Sequence, residues 1–196
     1  MANLDRPNGF TPVGTLGGGS WQGKTRWYPV NTNTAADIAT GDVVSLEANG
    51  NVELTAATAV CFGVVVGISI VPNAISDFGA GTLGGHGSLS LETNFFDKSA
   101  GIDKYALVAV GPDVLYEVQS AAGGAGQADV GANADLVGGA SGTSRSIMEL
   151  AAAGTGTAQF HIHDVVLRPD NELGSIWDRY VVSIHEYQFA NALAGI

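Results

Sequence analysis

Apolar and polar side chains alternate along this chain with the two-residue period of β-strands, and no segment over 12 residues holds a clean helical period. Asp42-Val43-Val44-Ser45-Leu46-Glu47 places Val44 and Leu46 on one face, and Asn51-Val52-Glu53-Leu54-Thr55 places Val52 and Leu54 together. Asn49-Gly50 lies between them and accepts the positive φ of a tight turn, which predicts a β-hairpin. Arg26 to Val30 predicts a short strand ended by Pro29 and the polar run Asn31 to Thr34. Val60 to Val71 predicts a buried strand with Val60, Phe62, Val64, Val66, Ile68 and Ile70 on its bulky face. Cys61, Gly63, Val65, Gly67, Ser69 and Val71 form the small face, whose glycines point to close backbone approach or a barrel bend. Lys104–Val110 and Val114–Gln119 predict a second hairpin turned by Gly111-Pro112-Asp113. Further strands are expected at Ser88–Glu92, Arg145–Leu150, Thr157–Arg168 and Arg179–Phe189.

This pattern predicts an all-β fold, a β-barrel or β-sandwich-like body of short antiparallel strands with an extended N-terminal arm. The arm is expected over residues 1–30 and the β-rich body over 31–196. Residues 1–25 lack strong periodicity and hold Pro7, Pro12 and six glycines, so they read as ordered only where something holds them. A Gly-rich insertion is expected at 72–102, and the Ala/Gly/Ser-rich stretch 120–144 reads as a long surface loop of the kind that commonly binds something.

Composition supports a folded chain and narrows its partners. Of 196 residues, 45% are hydrophobic and only 14% charged, which excludes a charge-rich disordered chain. The 28 glycines have no collagen period and cluster between the apolar runs. A net charge of −11 disfavours nucleic acid and anionic membrane as partners. Residues 1–30 nevertheless carry a net +2, from Arg6, Lys24 and Arg26 against Asp5, which leaves −13 for the remainder. The polar start Met1-Ala2-Asn3-Leu4-Asp5-Arg6-Pro7 does not read as a signal peptide, and the 12-residue apolar run is too short for a spanning helix. The single cysteine, Cys61, excludes an intramolecular disulfide and reads as a buried thiol.

Three patterns resemble chemical motifs. Gly18-Gly19-Ser20-Trp21-Gln22-Gly23-Lys24-Thr25 fits the phosphate-cradling G-x-x-x-x-G-K-[ST], which needs a buried strand before it and a helix starting at Lys24-Thr25. Arg26-Trp27-Tyr28-Pro29-Val30 is strand-like instead, so the match reads as coincidence. Gly79-Ala80-Gly81-Thr82-Leu83-Gly84 fits the dinucleotide G-x-G-x-x-G, without a flanking strand or helix. His161 and His163 share one strand face next to Asp164, and a metal would need a third ligand such as His185 or His86. The commoner reading is two polar residues on a solvent-facing or interfacial face. No nucleophile–base set and no acid–base carboxylate pair stands out, so no enzyme activity and no cofactor is expected. The expected neighbour-binding side chains are Phe10, Trp21, Lys24, Arg26, Trp27 and Tyr28, an aromatic and basic set on the leading segment.

Several stretches resemble the head decoration, or cement, proteins of tailed bacteriophages. These are the leader Met1 to Phe10, Gly41-Asp42-Val43-Val44-Ser45-Leu46, Gly63-Val64-Val65-Val66-Gly67, Asp113 to Gln119, Ala128 to Leu136, and Val166 to Gly174. The resemblance covers about half the chain and contains no chemical signature. It implies a virion protein on the exterior of the capsid that clamps adjacent major capsid protein subunits and stabilises the mature head. It also implies a homo-oligomer, with a trimer favoured. The competing expectation is a different phage structural component, a tail or fibre-attachment protein.

Overall fold

The computed structural model describes residues 3–30, 36–69, 95–96, 105–121, 123–124, 126–139 and 145–189, with the backbone alone at 69, 95 and 96. The expected strand at Ser88–Glu92 and the G-x-G-x-x-G match lie outside the described residues.

The chain is all-β. Its strands are β1 (Thr11–Thr15), β2 (Thr25–Pro29), β3 (Ile38–Ala39), β4 (Val43–Leu46), β5 (Val52–Leu54), β6 (Gly63–Ser69), β7 (Phe95–Phe96), β8 (Tyr105–Val110), β9 (Val114–Gln119), β10 (Asn133–Ala134), β11 (Leu136–Val137), β12 (Glu149–Leu150), β13 (Phe160–Val165) and β14 (Arg179–Ile184). One antiparallel sheet runs β1-β9-β14-β13-β10, and a second runs β2-β8-β6-β4-β5. Among the described residues two short pairs, β11-β12 and β3-β7, are added to these sheets.

The main core lies between the two sheets. Tyr116, Val118, Phe160, Ile162, Tyr180 and Val182 of the first sheet meet Val43, Val64 and Ala109 of the second. The second sheet is buried on its other face as well, where Val44, Val52, Phe62, Val65, Ile68 and Val108 form a separate apolar cluster with Val30 and Ile38. A strand buried on both faces reads as a continuous apolar run, which accounts for the unbroken stretch around β6. A bulge between Val65 and Gly67 shifts the register of β6 against β8. Val64 and Ile68, which strict alternation puts on one face, therefore belong to different clusters. Gly63 fulfils the expectation of close backbone approach, since a Cβ there would lie 2.4 Å from the Ala109 carbonyl oxygen.

The β4–β5 hairpin forms as the pattern predicts, with a longer turn. Leu46 pairs with Val52. The Gly50 N–H donates to the Glu47 carbonyl (2.9 Å), and Gly50 takes φ +83°. This is a three-residue loop with glycine in the left-handed position, not a two-residue Asn-Gly turn.

The second expected hairpin is corrected. The turn at Gly111-Pro112-Asp113 is present, but β8 pairs with β2 and β6 whereas β9 pairs with β1 and β14. The turn is a corner that carries the chain from one sheet to the other. Local periodicity cannot distinguish the two cases, because each strand alternates correctly for its own sheet. The surface loop at 120–144 also holds more structure than expected: β10 and β11 lie in it, and Ala134 and Leu136 are buried in the main core.

The leader, expected to be ordered only where something holds it, is held by the body. Residues 3–30 pack on the body, β1 as an edge of the first sheet and β2 as an edge of the second. The leader thus crosses between the sheets beside the 111–113 corner. The Leu16 N–H donates to the Asp113 carbonyl (2.9 Å), and Lys24 forms an ion pair with the Asp113 carboxylate. Phe10 is 1% exposed and stacks on Phe160 with ring centroids 4.5 Å apart. Burying an aromatic side chain outweighs the freedom the glycines would otherwise keep. Before β1 the leader also crosses closely over Gly41, at Gly9. The Phe10 N–H donates to the Gly41 carbonyl (2.8 Å), and a Cβ on Gly9 would come within 2.4 Å of that same oxygen.

Beside this crossing Asp42 is fully buried, and one carboxylate oxygen accepts the Ala39 N–H at 2.7 Å. Among the described residues its other oxygen, Oδ1, has no hydrogen bond of good geometry. Burial pushes the carboxyl up to about 6, while the Ser146 hydroxyl and the Ala39 amide pull it the other way. A raised carboxyl binds its proton more tightly in the folded state, so its contribution is fully favourable below the unfolded value of 3.8 and is lost as pH rises to about 6.

Three outcomes follow for stability. Phe10→Ala is expected to cost about 3–5 kcal/mol in urea denaturation, and removal of residues 1–15 to abolish the cooperative transition. A truncated chain that melts as cooperatively as the full one would show that the leader is dispensable. Asp42→Asn is expected to flatten the stability profile between pH 4 and pH 6, a window set by the Asp42 values. The component removed is about 3 kcal/mol at most. An unchanged slope would place the proton elsewhere.

Candidate functional site

The neighbour-binding residues expected from the sequence do not form one site. Phe10 lies in the core between the sheets. Trp21 is half-buried against that core, and its Nε1–H has no hydrogen-bond partner among the described residues. Tyr28 packs on the second cluster, edge-on to Phe62 at 4.9 Å. Lys24 is engaged by Asp113, and the contact holds the Asp113 carboxyl below its usual value. Arg26 is exposed and Trp27 half-buried, both on β2, so Lys24, Arg26, Trp27 and Tyr28 share one sheet edge. Phe10 is corrected as a neighbour-binding residue, because its ring is consumed inside its own fold.

The Gly18–Thr25 segment lacks the geometry of a phosphate cradle. Thr25 opens β2 where that motif requires a helix, and Lys24 faces Asp113. The histidines do come together. His161 and His163 have ring centroids 4.9 Å apart, and His185 lies 6.3 Å from His161. Each of the first two is held by a neighbouring strand, His161 Nδ1 with Asn133 Oδ1 and His163 Nε2 with Ser183 Oγ, both at 2.8 Å. Burial, then the neighbouring His161, keeps His163 below the usual histidine value. Among the described residues no group of three His, Cys, Asp or Glu is arranged to hold a metal ion. His86 lies outside the described residues.

The most distinctive surface is one the sequence reading assigned no role. Residues 166–178 join the antiparallel pair β13 and β14 as a long loop. Long loops without regular structure in a compact body usually serve function. This one is held rigid by three buried polar side chains. Asp178 is fully buried; its Oδ1 accepts the Ser175 N–H (3.2 Å) and its Oδ2 the Gly174 N–H (2.9 Å). Asn171 donates to the carbonyls of Val166 (2.8 Å) and Arg179 (3.2 Å) and accepts the Arg179 N–H (3.0 Å), bridging the base of the loop. Asn3 ties the chain start to both. Its amide donates to Asp178 Oδ1 (3.0 Å) and to the Glu172 carbonyl (3.1 Å), and its oxygen accepts the Glu172 N–H (2.7 Å).

This clamp presents apolar side chains to solvent. Leu4 is 62% exposed, Leu167 77%, Leu173 40% and Ile176 53%. Trp177 between them has φ +64°, a conformation that costs a non-glycine residue about 1–3 kcal/mol. The hydrogen bonds flanking it at Ser175 and Asp178 hold it there. Arg168 makes a bidentate ion pair to Glu117, with contacts of 2.5 and 3.2 Å, and reaches Asp170 at 3.4 Å. A loop held this way that exposes several large aliphatic residues is a candidate interaction surface, because the cost of ordering it is already met within the fold. The signal available in the sequence was Leu167, Leu173, Ile176 and Trp177 in a stretch with neither strand nor helix period.

Asp178→Ala leaves the Gly174 and Ser175 amides without their acceptor and takes one of its acceptors from the Asn3 amide. We expect a loss of about 3 kcal/mol, with faster proteolysis inside 166–178 than elsewhere. Unchanged protection of this loop in hydrogen exchange would refute the clamp.

Comparison of the chain with family models, with curated proteins and with solved structures finds no match.

Proposed function

We propose that this chain is a structural virion protein that binds the outer surface of a capsid shell and clamps adjacent major capsid subunits. The observation that carries the reading is the rigid, aliphatic-bearing loop 166–178 with the chain start locked onto it. Three features support it: the all-β body, the acidic surface with a net charge of −11, and the resemblance of the leader and of Val166 to Gly174 to phage decoration proteins. The grip is assigned to the loop and the docked residues 3–6, since the rest of the leader is committed to the sheets. Several weak loop contacts per oligomer, with a trimer favoured, gain avidity through effective concentration.

Leu173→Glu combined with Ile176→Glu tests this surface. Both side chains are exposed, so thermal stability should shift little. Binding to shells stripped of the protein, read by co-sedimentation, should fall at least about tenfold, because a charge would enter a desolvated contact. Full shell occupancy by the double variant would sink the proposal.

A further inference from the structure

Beside this loop a cleft of about 250 Å³ is lined by Asn3, Leu4, Arg6, Pro169, Asp170, Trp177 and Arg179. We propose that it seats one carboxylate-bearing side chain, a Glu or Asp, from the protein that the loop binds. The inference rests on the loop being a protein-binding surface and adds the chemistry of the partner.

Charge is the first argument. Two guanidinium groups line a small cleft in a chain whose net charge is −11. Among the described residues Arg179 has one ion pair, a long contact to Glu117 at 3.5 Å. Arg6 is exposed and has no ion pair among the described residues. The one acid of the lining, Asp170, is already held by Arg168. A planar fork of donors without a carboxylate is suited to bidentate capture of one.

Position is the second. The Arg6 backbone is fixed, because its N–H donates to Gln119 Oε1 (3.2 Å) and Gln119 also donates to Asp5 (3.2 Å). The Asn3 clamp holds the chain three residues before it. Trp177, Leu4 and Pro169 supply apolar walls around the charged end. Low-dielectric walls strengthen an ion pair relative to open solvent.

Size is the third. Sites for small-molecule ligands begin near ~300 Å³, so this cleft suits a single side chain better than a nucleotide or a sugar. The Asp170 carboxylate on the rim disfavours a doubly charged phosphate more than a singly charged carboxylate.

The test uses the full chain labelled with ¹⁵N-arginine. It is titrated with the capped tripeptide Ala-Glu-Ala and, in parallel, with Ala-Gln-Ala. The Arg6 and Arg179 Nε–H signals should shift saturably with the Glu peptide alone, and the shift should shrink in high salt. Arg6→Gln should remove it. No shift at tens of millimolar, or equal shifts with both peptides, overturns the proposal. In the shell assay Arg6→Gln should weaken binding about tenfold, within the range of close charge pairs. If the Leu173/Ile176 double variant fails to bind while Arg6→Gln binds as wild type, the carboxylate seat is wrong and the loop surface stands. If the wild-type chain does not bind shells, the shell reading falls and the peptide titration alone decides the cleft.

Discussion

Asp178 is the group on which both the fold of the chain start and the shape of its most exposed loop depend. A buried carboxylate is costly unless several donors face it. Here the donors come from two places far apart in sequence: the amides of Gly174 and Ser175, and the side chain of Asn3. The Tyr180 hydroxyl, which also donates to Asp129 at 2.6 Å, lies 3.4 Å from the same carboxylate. Satisfying one charge therefore closes the 166–178 loop, fixes residue 3 against it and ties both to β14. Packing alone would leave the loop free, since its aliphatic residues point outward. The polar network supplies what the core cannot, a defined shape for a segment with little to bury.

The same trade recurs at the leader. Its composition is that of a flexible tether, with six glycines and two prolines in the first 25 residues. Glycine permits disorder and also permits close backbone crossing, and composition cannot tell these apart. What decides is whether some large side chain finds a cavity. Phe10 does, against Phe160, and Gly9 and Gly41 let the backbone approach closely enough for it to reach. Trp21 and Tyr28 then follow onto the two apolar clusters. The aromatic residues that suggested an outward grip are those that hold the segment inward, apart from Trp27 and the charged pair Lys24 and Arg26 on the β2 edge.

The strands were largely legible, because alternation is a local property. β4, β5, β8, β9, β13 and β14 fall where the pattern places them. Their pairing was legible only where a short turn joins neighbours in one sheet, as at Asn49-Gly50. At Gly111-Pro112-Asp113 a similar turn leads to different sheets, since the choice is made by β2 and β1 arriving from the leader. The Val65–Gly67 bulge was invisible for a related reason: in a strand apolar on both faces, a one-residue shift leaves the pattern intact. The candidate surface was the least legible part. Its rigidity comes from Asn3, Asn171 and Asp178, polar residues whose spacing in sequence says nothing of their meeting.

Net charge and local charge then pull in different directions on this surface. A chain at −11 repels acidic partners at long range, yet the cleft beside the loop gathers Arg6 and Arg179 with its one acid engaged by Arg168. Screening decides which acts. At physiological salt the Debye length is about 8 Å, so the overall charge fades beyond a few residues while groups in contact keep most of their attraction. Long-range repulsion slows approach and short-range pairing governs what stays bound. A surface built this way holds an acidic partner only when shape brings the carboxylate into the cleft. That requirement explains why rigidity matters here: without the Asn3 clamp, Arg6 on the leader and the loop walls Pro169 and Trp177 would spread over many positions relative to Arg179, and the repulsion would prevail.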